Sequence, residues 1–268
     1  MTPIWILILL GIVQGLTEFL PVSSSGHLVI IQNLLPGFNE PGVLFHATVH
    51  LGTLGAVLLY FRTDLLEMAT CIIAPRSADP VKLRLIRLII VGTLPTVVVA
   101  LAFKDELEQL FTNVSAAAAM LLVTGTLLYL TDHTRERTIQ LREMTLKHAL
   151  IVGIAQGCAI VPGISRSGST IAAGVFSGLT RELALRYSFL LSIPAILGAF
   201  ILQVTTHEHP IGQDVEWLGY GLAFVAAFGV GYASIAILLK MLLSRKLTFF
   251  AYYCWAVGGS TLIMRLAG

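Results

Sequence analysis

Apolar residues run from Thr2 to Val13 and then the pattern breaks, with Gln14, Thr17, Glu18 and Pro21 leading into Ser23-Ser24-Ser25-Gly26-His27 before apolar sequence resumes from Leu28 to Leu35. A membrane-crossing helix needs about 20 apolar residues. This run is too short, and it predicts a helix that dips in, breaks at Pro21 and the serines, and returns. Pro36 to Gly42 then reads as a surface loop. Six longer apolar segments follow, at about 44–61, 86–103, 114–131, 186–205, 217–240 and 247–264, each long enough to cross with some tilt. Between the third and fourth lies a second exception: Leu150 to Gly178 is divided by Pro162 and the stretch Gly163-Ile164-Ser165-Arg166-Ser167-Gly168-Ser169-Thr170. Pro and Gly break a helix that enters such a stretch.

The two broken segments are copies. A shift of 142 residues places Gly11, Ile12, Gln14, Gly15, Ser23, Ser25 and Gly26 on Gly153, Ile154, Gln156, Gly157, Ser165, Ser167 and Gly168 without a gap. Each copy precedes three predicted spans. Three is odd, so the second copy enters from the opposite face, which is the pattern of an inverted-topology repeat with two re-entrant hairpins meeting near the midplane. The expected architecture is a single membrane domain over 1–268, all-α, with six transmembrane helices plus two re-entrant helical hairpins. Repeat one covers about 1–131 (re-entrant 2–35) and repeat two about 148–268 (re-entrant 150–178).

Composition agrees with that class: 56% of the residues are hydrophobic and only 12% charged, far from a soluble domain. The net charge of +2, with no basic run, excludes nucleic acid as an expected partner. Cys71, Cys158 and Cys254 are far apart, follow no metal spacing, and read as apolar filler. The N-terminus has no basic region ahead of its apolar run, so a cleaved signal peptide is not expected. Loops 62–87, 132–147, 181–186 and 240–246 hold 14 of the 17 basic residues, whereas 104–113 and 206–216 hold one basic and six acidic residues. Lysine and arginine prefer the cytoplasmic side. The loops therefore alternate as six spans require, with both termini and the first hairpin facing outside.

Of the Asp, Glu, Lys and Arg residues, only Glu18 and Arg166 fall inside apolar or hairpin sequence away from a span end. An intramembrane charge marks a functional site unless a partner merely neutralises it. Arg166, the loop amides and the hydroxyls of Ser165, Ser167 and Thr170 describe a receptor for a phosphate-like anion. Ser23, Ser24, Ser25 and His27 stand close to Glu18 in sequence; a serine beside a histidine is a candidate nucleophile, and a helix-capping serine explains the same pattern. His46 and His50 share a face of the first span, and with no third ligand evident they read as bundle-interior histidines rather than a metal site. Pro95 and Pro194 read as kinks, and Gly52, Gly55, Gly229 and Gly231 as points of close helix packing.

Gln14-Gly-Leu-Thr-Glu18-Phe-Leu-Pro-Val-Ser-Ser-Ser-Gly-His27 and Pro162-Gly-Ile-Ser-Arg-Ser-Gly-Ser-Thr170 resemble the two signatures of the bacitracin-resistance type undecaprenyl-pyrophosphate phosphatases, over essentially the full chain. The resemblance implies hydrolysis of a C55 polyprenyl pyrophosphate to the monophosphate and inorganic phosphate, on the outer face of the bacterial plasma membrane, with a divalent cation, Ca2+ or Mg2+. It implies Glu18, Ser24, His27 and Arg166 as catalytic residues, with Ser23, Ser25, Ser165, Arg166, Ser167 and Thr170 on the phosphates. Glu18 is the implied metal ligand. Glutamine at Gln14, where relatives often carry glutamate, argues against a two-carboxylate metal site. The partners implied are the lipid substrate and membrane lipid, and a homodimer is compatible with them. Either Ser24 or a water is the attacking group on this reading. The rival is a secondary transporter or lipid flippase using the same anion site. The type-2 acid phosphatases share only Ser25-Gly26-His27, with no Arg-Pro dipeptide and no histidine at the required spacing after Arg166.

Overall fold

The computed structural model describes residues 2–34, 43–74, 79–135, 137–206 and 217–267, so the loop expected at Pro36 to Gly42 and most of the acidic loop 206–216 lie outside the described residues. The described residues form twelve helices and no strand: α1 Ile4–Phe19, α2 Ser24–Leu34, α3 Val43–Tyr60, α4 Arg62–Ile73, α5 Pro80–Ala102, α6 Lys104–Leu110, α7 Val114–His133, α8 Leu146–Cys158, α9 Arg166–Phe176, α10 Arg181–Thr206, α11 Trp217–Leu243 and α12 Thr248–Ala267. Helices are what apolar sequence forms where no water is present to satisfy the backbone. Four of them, α5, α7, α10 and α11, are long and apolar enough to cross a membrane. α3 and α4 add a fifth candidate if taken together, but they are bent by 78° at Phe61. Part of the 62–87 stretch, expected as loop, is thus helical in α4. Its Asp64 and Glu67 pair with Lys82, and Asp64 also with Arg186.

The outward faces of the long helices are apolar. Ile90, Leu94, Val98 and Leu101 of α5 and Trp217, Leu218 and Val225 of α11 are exposed, as expected of surface in contact with lipid rather than water. The interior is closed by larger side chains. Phe19 meets Phe189 edge-on at 5.5 Å, Phe61 lies 5.8 Å from Phe189, and the buried Tyr187 hydroxyl donates to the Leu88 carbonyl at 2.7 Å.

Two predicted broken segments are present as short helix pairs. α1 and α2, and likewise α8 and α9, contain 16, 11, 13 and 11 residues, none long enough to cross. Their packing partners are exchanged between the halves of the chain: α1 packs on α11 and α8 on α5, α11 on α3 and α5 on α10, while α7 pairs with α12 and α3 with α10. Small residues make the closest of these crossings. A Cβ on Gly11 would lie 2.4 Å from the Ala223 carbonyl oxygen, and one on its counterpart Gly153 would lie 2.1 Å from that of Gly92. Gly52, Gly55 and Gly231 also stand at close contacts, but Gly229 faces open space and has no packing role.

The Asp132 carboxylate at the end of α7 accepts from the Thr248 backbone N–H at 2.7 Å and hydroxyl at 2.8 Å, so it starts α12, and Arg181 pairs with it at 3.5 Å. Gly153→Ala should destabilise the detergent-solubilised protein by about 2 kcal/mol or more, since the methyl group must displace backbone. Gly229→Ala should change its thermal unfolding by under about 0.5 kcal/mol.

Candidate active site

α1 ends where Leu20 and Pro21 follow Phe19, leaving Glu18 on the last turn. The chain reverses through Ser23, a non-glycine residue at φ +67°, and α2 begins at Ser24. Ser23 makes this turn productive: its hydroxyl accepts from the Gly26 N–H at 3.2 Å, as an N-cap does, and sits 3.3 Å from the Ser25 hydroxyl. The second break repeats the device. Ser165 caps α9 by accepting from the Gly168 N–H at 3.1 Å and lies 3.2 Å from the Ser167 hydroxyl, after a turn through Gly163 at φ +93°.

The two breaks touch. A Cβ on Gly26 would lie 2.8 Å from Gly163 Cα, and one on Gly168 would lie 3.3 Å from Pro21 Cβ. Pro21 and Gly163 are themselves matched by the 142-residue shift, so the contacts are reciprocal. Each turn is also held by a long helix: Thr124 of α7 donates to the Gly163 carbonyl at 2.8 Å, and Cys254 Sγ of α12 faces the Pro21 carbonyl at 3.9 Å. Thr124 does double duty, since its hydroxyl also accepts from the Ser165 N–H at 3.0 Å.

Glu18 collects the chemistry. Its Oε1 accepts from Arg166 Nη2 at 2.5 Å, across 148 residues of sequence, and its Oε2 accepts from the Ser24 hydroxyl at 2.7 Å and from Gln14 Nε2 at 3.1 Å. The Glu18 and Arg166 side chains are 8% and 16% exposed, so this is a largely desolvated pair. Arg166 Nη1 and Gln14 Oε1 are buried without a hydrogen-bond partner. One prong of the guanidinium fork therefore holds the carboxylate and the other is spare. Apart from the Gly26 and Gly168 N–H groups, which Ser23 and Ser165 accept, the first-turn amides of α2 and α9 have no partner within their own helices.

His27 stands apart from that carboxylate. Its Nδ1 is 2.8 Å from the Ser23 carbonyl, which can only accept, so Nδ1 carries the proton. In the neutral ring Nε2 then accepts from the Tyr253 hydroxyl at 2.8 Å. Ser24 is thus hydrogen-bonded to Glu18, and His27 to Ser23 and Tyr253. Thr170 is buried, with its hydroxyl on the Arg166 carbonyl at 2.8 Å and the Ser188 hydroxyl at 2.5 Å, where it locks α9 to α10. Three contributors were not visible in the sequence pattern. His50, read there as a bundle-interior histidine, has Nε2 3.9 Å from Glu18 Oε2, and its Nδ1 is on the His46 carbonyl at 2.8 Å. Tyr253 and Thr124 carried no signal at all, because nothing in an apolar span says which hydroxyl faces a hairpin 226 or 39 residues away.

Among the described residues no three His, Cys, Asp or Glu side chains converge as a metal site. The donors present nevertheless suit one mode of hard-cation binding, in which one carboxylate and one amide oxygen supplement phosphate oxygens and water.

The structure is thus that of a helical membrane protein with a buried carboxylate–guanidinium pair between two broken helices, one guanidinium nitrogen unpartnered and a serine hydroxyl on the carboxylate. Residues 7–260 match the family model of the bacitracin resistance protein BacA, and the chain belongs to that family. It is similar to the undecaprenyl-diphosphatase of Syntrophotalea carbinolica, 46% identical over 252 residues that cover 94% of this chain and 95% of the relative. Relatives of the same name from Desulfosudis oleivorans and Methanobrevibacter smithii are 45% and 44% identical, over 95% and 94% of this chain and 96% and 94% of their own length.

Thr124→Val keeps the shape of the side chain but strips the Gly163 carbonyl of its donor and the Ser165 N–H of its acceptor. We expect a loss of about 2 kcal/mol or more in detergent unfolding. Thr93→Val, whose hydroxyl serves only its own helix at Ile89, should change little.

Proposed function

We propose that this chain hydrolyses undecaprenyl pyrophosphate to undecaprenyl phosphate and inorganic phosphate, returning the carrier lipid to cell-wall synthesis and conferring bacitracin resistance. The observation that carries this reading is the position of Glu18, which joins Arg166 of one hairpin to Ser24 of the other. A site for binding alone has no need of a hydroxyl held on a carboxylate; a site for phosphoryl transfer does. Family membership and the shared name of the relatives support the same reaction.

The spare Nη1 of Arg166 and the first-turn amides of α2 and α9 receive the terminal phosphate. As the phosphate draws the guanidinium toward itself, the Glu18 carboxylate loses its counter-ion and is free to take the Ser24 proton. Ser24 Oγ then attacks phosphorus in line, the bond from phosphorus to the bridging oxygen breaks, and the polyprenyl monophosphate leaves. Water cleaves the phosphoserine, with His27 Nε2 exchanging its hydrogen bond from the Tyr253 hydroxyl for this water and accepting its proton, and Glu18 returning its own to Ser24. Attack by water in place of Ser24 is the alternative that the trapping experiment below separates. A divalent cation, Ca2+ or Mg2+, supplies neutralisation of the phosphate oxygens when bound, and Glu18 and Gln14 Oε1 are the residues that would hold it.

The placement we propose is that of an inverted repeat, six spans with two re-entrant hairpins, with the site and both termini toward the outside of the plasma membrane. The exchanged packing of α1 on α11 and α8 on α5, the reciprocal contacts of the two turns, and the basic loops at 132–147 and 240–246 support it. The apolar outer surface leaves room for a homodimer, which cross-linking in native membranes would read.

The test is phosphate release from C55 polyprenyl pyrophosphate by purified protein, with and without chelator. Glu18→Ala and Arg166→Ala should each lower kcat by about 100-fold or more, and chelator should abolish release. Arg166→Lys should fail as well, because a point charge lacks the second, unpartnered prong that meets the phosphate before the first lets go of the carboxylate. No release from folded, lipid-binding wild type would move the reading to transport. Acid-quenched enzyme should carry phosphoserine at Ser24; Ser24→Ala with wild-type turnover would overturn the serine as nucleophile. For topology, a single cysteine placed in 132–147 should be labelled by an impermeant reagent only from the cytoplasmic side, and labelling from outside in intact cells would reverse the orientation.

A further inference from the structure

We infer that Tyr253 is a positioning residue for the reaction, holding His27 through its hydroxyl. The inference rests on the reading of His27 given above. Tyr253 lies on α12, and its ring is parallel to the imidazole, 3° apart in plane with centroids at 5.5 Å, while its hydroxyl meets Nε2 at 2.8 Å. With Nδ1–H fixed on the Ser23 carbonyl, these contacts leave the imidazole one tautomer, one plane and one lone pair, all set by two partners.

Three successive residues of α12 hold three different parts of the site. Tyr253 holds His27, Cys254 faces the Pro21 carbonyl at the hairpin turn, and Trp255 Nε1 donates to the Leu122 carbonyl of α7 at 3.1 Å. Neighbours on a helix point about 100° apart. α12 is therefore wedged between the first hairpin and α7, and Tyr253 cannot drift from His27 without breaking the other two contacts.

Comparison of the two halves separates scaffold from chemistry. The hold recurs at each turn, with Cys254 at Pro21 and Thr124 at Gly163, each reaching across from the other half of the chain. One residue earlier on each helix, Tyr253 and Val123 are similarly exposed, at 44% and 41%, yet only one of them bears a hydroxyl. The residue matched to His27 by the 142-residue shift is Ser169. Tyrosine and histidine are thus present together at the first turn and absent together from the second. A hydroxyl needed only to build the fold would be expected at both places; one that serves the imidazole is needed at one.

The test is a double-mutant cycle on phosphate release from C55 polyprenyl pyrophosphate: wild type, Tyr253→Phe, His27→Ala and the double variant. Tyr253→Phe keeps the stacked ring, so thermal unfolding in detergent should match wild type. We expect kcat to fall about tenfold, the low end for loss of a group that orients a reactive imidazole, with KM changed less than twofold. In the His27→Ala background the same substitution should have no further effect. Wild-type kcat in Tyr253→Phe, or an equal loss with and without His27, would overturn the inference while leaving the phosphatase reading intact. Wild-type turnover in His27→Ala would remove the role of His27 itself, and that of Tyr253 with it.

Discussion

The buried pair of Glu18 and Arg166 is the interaction on which the site depends. Moving a carboxylate and a guanidinium out of water costs several kcal/mol per ion, and their attraction offsets that cost only with good geometry and further hydrogen bonds. Here the further bonds are present: Ser24 and Gln14 both donate to Glu18. Loss of one partner would strand the other charge, at a cost of about 3–5 kcal/mol. Because the partners come from different hairpins, the same pair that the proposed chemistry uses also holds the halves of the chain in register. Removing either residue therefore has both a structural and a chemical consequence, and stability and turnover must be read together in any variant of them.

Around that pair the molecule repeats its framework and diverges in its chemistry. Gly11 and Gly153 permit the close crossings, Ser23 and Ser165 cap the returning helices, and Gln14 and Gln156 each bury an amide oxygen without a partner. At the positions between them the copies differ: Glu18 against Ile160, Ser24 against Arg166, His27 against Ser169. A perfectly symmetric site would set two carboxylates against each other, or two arginines, and like charges at such range repel. Divergence supplies one of each, and the contact between the two breaks brings the acid of one copy against the arginine of the other.

How much of this could be read from the chain follows from what each feature depends on. Hairpins announce themselves locally, because proline and serine interrupt apolar sequence: α1, α2 and α9 fall within the expected 2–35 and 150–178, while α8 starts at Leu146, ahead of the expected 150. Glu18 and Arg166 were legible because a charge in apolar sequence is expensive anywhere. Side-chain pairing was not legible. Ser24 and His27 are three residues apart, and that spacing suggests a dyad, yet the reversal at Ser23 gives Ser24 to Glu18 and His27 to the Ser23 carbonyl and Tyr253. His50 could be placed on a helix face, but which face meets Glu18 is set by the packing of α3 on α11. Gly229 shows the opposite error: a small residue in a span suggests close packing, and open space leaves the same residue unconstrained.

The proposed chemistry also bears on how a long lipid can be served by so small a site. A polyprenyl pyrophosphate held with its tail in the bilayer needs to surrender only its head group, so the protein has to offer charge at membrane depth without offering water. Free charge there is prohibitive, and charge already neutralised binds nothing. The Glu18–Arg166 pair meets both demands, since each ion is compensated while the site is empty and the arginine keeps one prong unused. An arriving phosphate exchanges one anion for another on the same guanidinium, which costs far less than desolvating a new cation. The carboxylate released by that exchange is the one that already holds the Ser24 hydroxyl. On this reading, binding and activation of the nucleophile are one event, and the reactive state exists only when the head group is in place.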